Sequence, residues 1–270
     1  MSVFPFLLNK LWSSQERVSL HACRAFFQAI VAQYETHAKA VKTFKTGKGR
    51  PWNEQSSCCF CATDRFFRPG YAANLIDSWI PALNGTGAKL EAGAKIADIG
   101  CGHGSSSILL AKAYPKSEIH AFDFHEPSII EARKKAKVAG VTNVKFRVAR
   151  AQDFPGKDFD LACIFDALHD MGDPVGAAKH IRQALRPDGT FMLVEPLAGD
   201  TSENLHPIRQ IYYSFSTTVC TPASLAQEVG LGLGAQAGQK RLTEVLNQAG
   251  FTHVRRAATT ETNMVLEVKA

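Results

Sequence analysis

A short apolar run, Ala94-Lys95-Ile96-Ala97, leads into Asp98-Ile99-Gly100-Cys101-Gly102-His103-Gly104-Ser105-Ser106, and a second apolar run with helical character occupies residues 107–113. No other stretch of the 270 residues restricts the fold as strongly. It reads as a buried strand that hands over to a helix through an acid and three alternating glycines. Glycine tolerates positive φ and lets a ligand touch bare backbone. The following helix N-terminus offers free N–H groups and a partial positive charge. The pattern predicts a parallel α/β unit with a nucleotide-type ligand at the handover.

Two spacings compete for that ligand. The dinucleotide fingerprint G-x-G-x-x-G, counted from Gly100, requires a glycine at position 105, and that residue is Ser105. The chain carries D-x-G-x-G-x-G instead. An acid at the strand end suits a cationic amino-acid tail and sulfonium, and would repel a diphosphate. The motif resembles the first motif of class I S-adenosylmethionine (SAM) dependent methyltransferases.

The segments that follow extend the resemblance. Residues 117–123 read as a second strand ending in Asp123, 19 residues after Gly104, where a carboxylate can accept both ribose hydroxyls. Phe124 can lie against the adenine face. Residues 128–140 form a helix with a glycine stop, and residues 144–149 alternate as a third strand. Asp153 is placed to accept the adenine amino group, with Phe154 beside it. A fourth strand over 159–166 and a fifth ending at Glu195-Pro196 complete an order that resembles the class I core over residues 66–270. The resemblance implies a Rossmann-like α/β fold, with a seven-stranded, mostly parallel sheet and helices on both faces. It implies SAM as cofactor, held by Asp98, Gly100, Cys101, Gly102, Gly104, Asp123, Phe124, Asp153, Phe154 and Asp166.

The catalytic expectation centres on Asp166-Ala167-Leu168-His169-Asp170-Met171, just beyond the fourth strand. Open α/β sheets bind ligands at this carboxyl edge. SAM supplies the electrophile, so the protein has only to align an acceptor and remove its proton. A histidine titrates in the right range for that task. The Leu-His-Asp sequence resembles the small-molecule O-methyltransferases, in which the matching histidine is the general base. On that resemblance His169 deprotonates a hydroxyl and Asp170 orients it. Glu195 holds a substrate group, assists His169, or satisfies backbone at a strand end. In the resembled fold the segment with Phe66, Phe67, Arg68 and Tyr71 crosses the cofactor mouth, so Phe66 and Tyr71 are expected substrate contacts. A helix over 205–219 adds His206, Tyr212 and Tyr213 if it covers the sheet edge. The glycine-rich residues 230–238 read as a mobile connection within a lid insertion over 197–240. Transfer to nitrogen or carbon, or a non-catalytic SAM-binding regulatory protein, are the alternatives.

Composition bounds the rest. With 45% hydrophobic and 21% charged residues the chain is ordinary globular material. It lacks a run of 18 apolar residues, so no membrane span is expected. Seven cysteines, an odd count, read as free thiols in a cytoplasmic setting. Cys58, Cys59 and Cys61 cluster, but a closed zinc site needs four ligands and no second Cys/His pair follows, so no metal is expected. Residues 1–56 hold eight Lys or Arg against three Asp or Glu, which is +5 of the net +6. This basic arm reads as a solvated extension or as a contact for nucleic acid or anionic lipid. Residues 57–270 lack a basic stripe, so a nucleic-acid substrate is not expected. Within the arm, a helix is predicted over 19–42 and a linker over 45–53. Residues 4–8 carry a weak targeting-like start. A domain boundary is expected at 56/57; the resembled methyltransferases carry a longer N-terminal helical domain that dimerises and covers the substrate, which implies that the arm is either a truncated form of it or a helical replacement for it. The expected partner is a small-molecule substrate, with a homodimer allowed for.

Overall fold

A computed structural model describes residues 14–199 and 207–270. The expected start at residues 4–8 lies outside them. Seven strands form one sheet: β1 (Lys95–Ile99), β2 (Glu118–Asp123), β3 (Val144–Val148), β4 (Phe159–Phe165), β5 (Leu185–Pro196), β6 (His253–Thr259) and β7 (Asn263–Lys269). Their spatial order is β3-β2-β1-β4-β5-β7-β6. All neighbours are parallel except β7, which runs antiparallel to β5 and β6. The chain winds outward from β1 through β2 to β3, then returns to β4 on the other side of β1. The carboxyl ends of β1 and β4 therefore flank a topological switch point, where open α/β sheets form a crevice.

Ten α-helices are described: α1 (Ser14–Glu35), α2 (His37–Thr46), α3 (Ser57–Asn74), α4 (Thr86–Ala92), α5 (Ser105–Ala113), α6 (Glu126–Ala139), α7 (Pro174–Ala184), α8 (Pro207–Phe215), α9 (Thr221–Leu225) and α10 (Gln239–Gln248). The pleat sends alternate side chains to opposite faces, and both faces are covered. Ala162, Ile164, Phe191 and Leu193 pack with Ile181 of α7 and Leu242 and Leu246 of α10. Leu161, Cys163, Met192 and Val194 pack with Leu75, Trp79, Leu90 and Leu110. The unbroken apolar run of β4 follows from this two-sided burial. Capping sets the helix ends: Asp173 accepts from Gly176 N at 2.7 Å ahead of α7, and Gly140 closes α6 in the left-handed conformation.

Three expectations are corrected here. The single helix over 19–42 is two helices, with a break at Thr36, whose backbone leaves helical geometry and whose hydroxyl donates back to Ala32 O at 2.8 Å. Residues 45–53 are not a free linker. Arg50 is 2% exposed; its guanidinium donates to Gln55 Oε1 and Thr218 O, both at 2.6 Å, and its backbone N–H donates to Pro222 O. Nor is the glycine-rich segment untethered. Leu231 N donates to Gly172 O at 2.9 Å and Gly234 N to His169 O at 3.1 Å. Ala32, Cys59, Tyr212, Val219, Cys220 and Ala235 form one apolar cluster, so the N-terminal helices and the insertion after β5 pack as a unit over the sheet edge.

Candidate functional site

A cleft of about 340 Å³ opens at the switch point, and Gly100, Cys101, Gly102, Asp123, Phe124 and Asp166 line it. The loop after β1 is built by hydrogen bonds to β2. Gly100 and Cys101 both donate to Phe122 O, at 2.8 and 3.0 Å. Gly102 N donates to Asp123 Oδ2 and His125 N to Asp123 Oδ1, each at 2.8 Å. Burial pushes the Asp123 carboxyl above its ordinary value. Gly100 has φ +73°, and a Cβ there would lie 2.9 Å from the Ala167 methyl. Gly102 has φ +51°, and a Cβ there would meet nothing within 4 Å. Bare main chain therefore faces the cleft, and helix α3 is held over it: Asp64 accepts from Ser105 Oγ at 2.5 Å and from Lys135 Nζ at 2.8 Å.

Four residues expected in this site lie elsewhere. Asp98 is fully buried behind the loop, does not line the cleft, and accepts from Ser106 Oγ at 2.7 Å and Ser107 Oγ at 2.5 Å; burial raises it to about 6. It fastens the start of α5 to β1 and does not face the cleft. Gly104 serves packing, because a Cβ there would fall 2.7 Å from the Phe146 ring and 2.9 Å from Ala132. Asp153 is exposed beyond a turn and Phe154 is core, stacked on Phe122. Arg150, Ala151 and Gln152 line the cleft in their place.

A second, smaller cavity of about 120 Å³ adjoins the first. Trp52, Thr63, Phe67, Asp166 and Asp170 line both. Its other walls are mainly apolar and include Phe26, Phe66, Ile211, Tyr212 and Phe215, so helices α1, α3 and α8 enclose it. His169, 4% exposed, reaches this cavity from a 3₁₀ turn (Leu168–Asp170). Its Nδ1 makes a very short hydrogen bond with Glu195 Oε2. The other oxygen, Oε1, accepts from Leu168 N at 2.9 Å. Glu195 is 1% exposed and lines neither cavity, so it bears on the smaller cavity only through the His169 imidazole. Burial alone would lower the His169 pKa; the Glu195 carboxylate and then Asp170 outweigh it and hold the group well above its ordinary value. Asp170 Oδ1 sits 3.4 Å from His169 Nε2, and Cys220 completes a grouping whose ring nitrogen, carboxylate oxygen and sulfur lie within 4.8 Å of one another. Burial raises the Cys220 thiol to about 12.

Asp166 marks the seam between the cavities. Its φ is +48°, a conformation that Asp adopts more readily than most side chains. Tyr71 Oη donates to its Oδ2 at 2.6 Å and Asn263 Nδ2 to its Oδ1 at 2.7 Å. Burial, reinforced by Glu195, pushes it up to about 8. Tyr71 thus lies at the cleft but spends its hydroxyl on Asp166. Tyr212 lines the smaller cavity and donates to Thr262 O at 2.9 Å. Tyr213, one residue on, is 43% exposed and lines neither cavity, which corrects the expected contact: adjacent helical residues point about 100° apart. His206 lies outside the described residues. Sequence reasoning missed Phe26, Trp52 and Cys220 at the small cavity; Phe26 had only a place in an apolar helical period as a signal, and the other two had none.

A mostly parallel sheet with this glycine loop, an acid closing β2 and a crevice of about 340 Å³ at the switch point defines a class I SAM-dependent methyltransferase. A methyltransferase-domain family model matches residues 90–250, and the chain belongs to that family. SAM is its methyl-bearing cosubstrate. A demethylmenaquinone methyltransferase of Bacillus subtilis is 29% identical over 129 residues, which are 47% of this chain and 54% of that protein, so the match spans about half of that relative. Among solved structures, an O-methyltransferase family protein from Burkholderia thailandensis aligns with a TM-score of 0.65 at 15% identity, covering 91% of this chain and 71% of that one. Human N-acetylserotonin methyltransferase in complex with SAM aligns with a TM-score of 0.60 at 18% identity, covering 88% and 66%.

Proposed function

We propose that this enzyme methylates a small, largely apolar acceptor on a hydroxyl oxygen, with His169 as general base. The observation that carries the reading is the shared wall: the cavity that holds His169 meets the glycine-loop cleft along Asp166, Asp170 and Phe67. SAM, when bound, supplies an electrophilic methyl group and needs no further activation. The chain's own residues do the rest. Gly100, Cys101 and Gly102 offer backbone, Asp123 offers a carboxylate and Phe124 a ring face along the cleft. The apolar walls of the small cavity exclude water from an acceptor. Glu195 accepts the Nδ1 proton of His169 and leaves the Nε2 lone pair as the base, the same division of labour as in carboxylate–histidine pairs of hydrolases. The Glu195 carboxylate also stabilises the imidazolium formed once the proton is taken.

The cavity, rather than a basic surface, supports a small-molecule acceptor. The names of the relatives agree with an apolar ring compound: one is named for demethylmenaquinone and another for N-acetylserotonin. In the same proposal residues 57–270 form the methyltransferase domain, and residues 14–56 serve as one wall of the acceptor cavity. The test is methyl transfer to a panel of phenols, hydroxyquinones and carboxylic acids by wild type and His169→Ala. General-base catalysis contributes about 10²–10⁴-fold, so kcat should fall by that factor while calorimetric SAM affinity stays unchanged. Retention of full kcat from pH 6 to 9 would end the base assignment.

A further inference from the structure

We propose that the outer face of α1 and α2 docks on an anionic lipid surface, from which an apolar acceptor enters the cavity. Helix α2 has no buried residue. Val41 and Phe44 sit together on one side of it, and Phe44 is 64% exposed. Lys42 and Lys45 are exposed on the same helix, which contains no acid. The preceding helix exposes an apolar row of its own, Phe27 (67%), Val31 and Tyr34 (78%). Exposed aromatic and aliphatic side chains with lysines beside them are the composition of a helix that lies in the headgroup–acyl boundary.

Two further observations choose this occupant over a second copy of the chain. Residues 37–48 carry Lys39, Lys42, Lys45 and Lys48, all exposed, and no acid, so a two-fold contact through this face would set like charges against each other, whereas an anionic leaflet complements them. A groove beside the stripe, lined by Phe26, Ile30, Gln33, Tyr34, Ile211 and Phe215, shares Phe26, Gln33, Ile211 and Phe215 with the acceptor cavity. Apolar surface thus runs from the exposed face to the neighbourhood of His169. The delivery step rests on the acceptor-cavity reading; the docking step does not depend on it.

The experiment is co-sedimentation of the full chain with vesicles of phosphatidylcholine alone and with phosphatidylglycerol admixed, without acceptor or activity readout. The variants are Phe27→Ser/Phe44→Ser and Lys42→Glu/Lys45→Glu, whose side chains line neither the cleft nor the acceptor cavity. Wild type is expected on the anionic vesicles and released by salt. Each double variant should partition at least about tenfold less, with melting temperature and SAM affinity retained. Three results would each overturn the proposal: wild type left in the supernatant of anionic vesicles, variants that bind as well as wild type, or a wild-type dimer dissolved by Phe27→Ser/Phe44→Ser without vesicle binding. Vesicle binding together with an inert His169 would refute the base assignment and leave docking intact.

Discussion

Replacing Glu195 by Gln tests the buried pair at the centre of the site while changing little volume. The two carboxylate oxygens have separate duties, one on Leu168 N at 2.9 Å and one on His169 Nδ1. Glutamine has one oxygen to give. A buried backbone N–H left without an acceptor is costly, so the oxygen stays on Leu168 N and the amide NH₂ turns to the imidazole. That donor forces Nδ1 to become the acceptor and moves the ring proton to Nε2. Nε2, the base in the proposed reaction, then has no lone pair. The equivalent Asp-to-Asn change in a serine protease lowers kcat about 10⁴-fold for this tautomeric reason. Here the expected loss is about 10²–10⁴-fold in kcat, or about 3–5 kcal/mol of transition-state stabilisation. The assay is transfer of labelled methyl from SAM to the best acceptor of the panel, with SAM affinity measured separately by calorimetry. SAM affinity should stay within threefold of wild type, since Glu195 lines neither cavity. A Glu195→Gln enzyme with kcat within threefold of wild type would refute the tautomer argument.

Other consequences follow from the same geometry. Because Glu195 and Asp170 hold the His169 pKa above its ordinary value, the neutral form grows as pH rises; kcat/KM should climb through and beyond neutrality, and a fall over pH 7 to 8 would contradict this. Asp166, raised to about 8, lines the cleft, so it gains charge as pH passes that value. SAM, a sulfonium, should bind more tightly at pH 9 than at pH 6.5, and calorimetry on Asp166→Asn should show a smaller change over that range than wild type. Gly104→Ala should cost about 2–4 kcal/mol, from left-handed strain plus overlap with Phe146, seen as a melting temperature lower by roughly 4–16 °C. Gly102→Ala meets no neighbour; it should cost only about 1–2 kcal/mol of left-handed strain and weaken SAM binding instead. Asp123→Ala removes the acceptor of Gly102 N and His125 N and should weaken SAM binding about 10- to 150-fold by calorimetry.

The strand and helix order was readable because a parallel sheet buried on both faces writes itself as apolar runs, and because glycine spacing reports backbone requirements directly. Gly100 and Gly102 illustrate this, and Gly104 shows its limit: positive φ was legible at all three, but whether the missing Cβ makes room for a ligand or for Phe146 depends on helix packing. Asp98 failed for a similar reason. Its register along β1 fixes that it is near the loop, while the hydroxyls of Ser106 and Ser107, in the first turn of α5, decide that it faces away from the cleft. Asp153 was one residue late in a turn, and a turn gives no periodicity to correct by. Glu195 was legible as a strand-end acid; its pairing with His169 spans 26 residues and needed the adjacency of β4 and β5. The smaller cavity was least legible. It is assembled from α1, α3 and α8, far apart in sequence and joined by burial of Arg50 and by an apolar cluster that no local pattern announces.

The nitrogen-15 resonances of His169, followed from pH 5 to 10 in the free protein, test the central assignment most directly. The account predicts that Nδ1 keeps its proton throughout, held by Glu195, and that Nε2 alone titrates, with a midpoint above that of an ordinary histidine. A neutral ring whose proton resides on Nε2 would contradict it, because such a histidine has no lone pair to offer the acceptor.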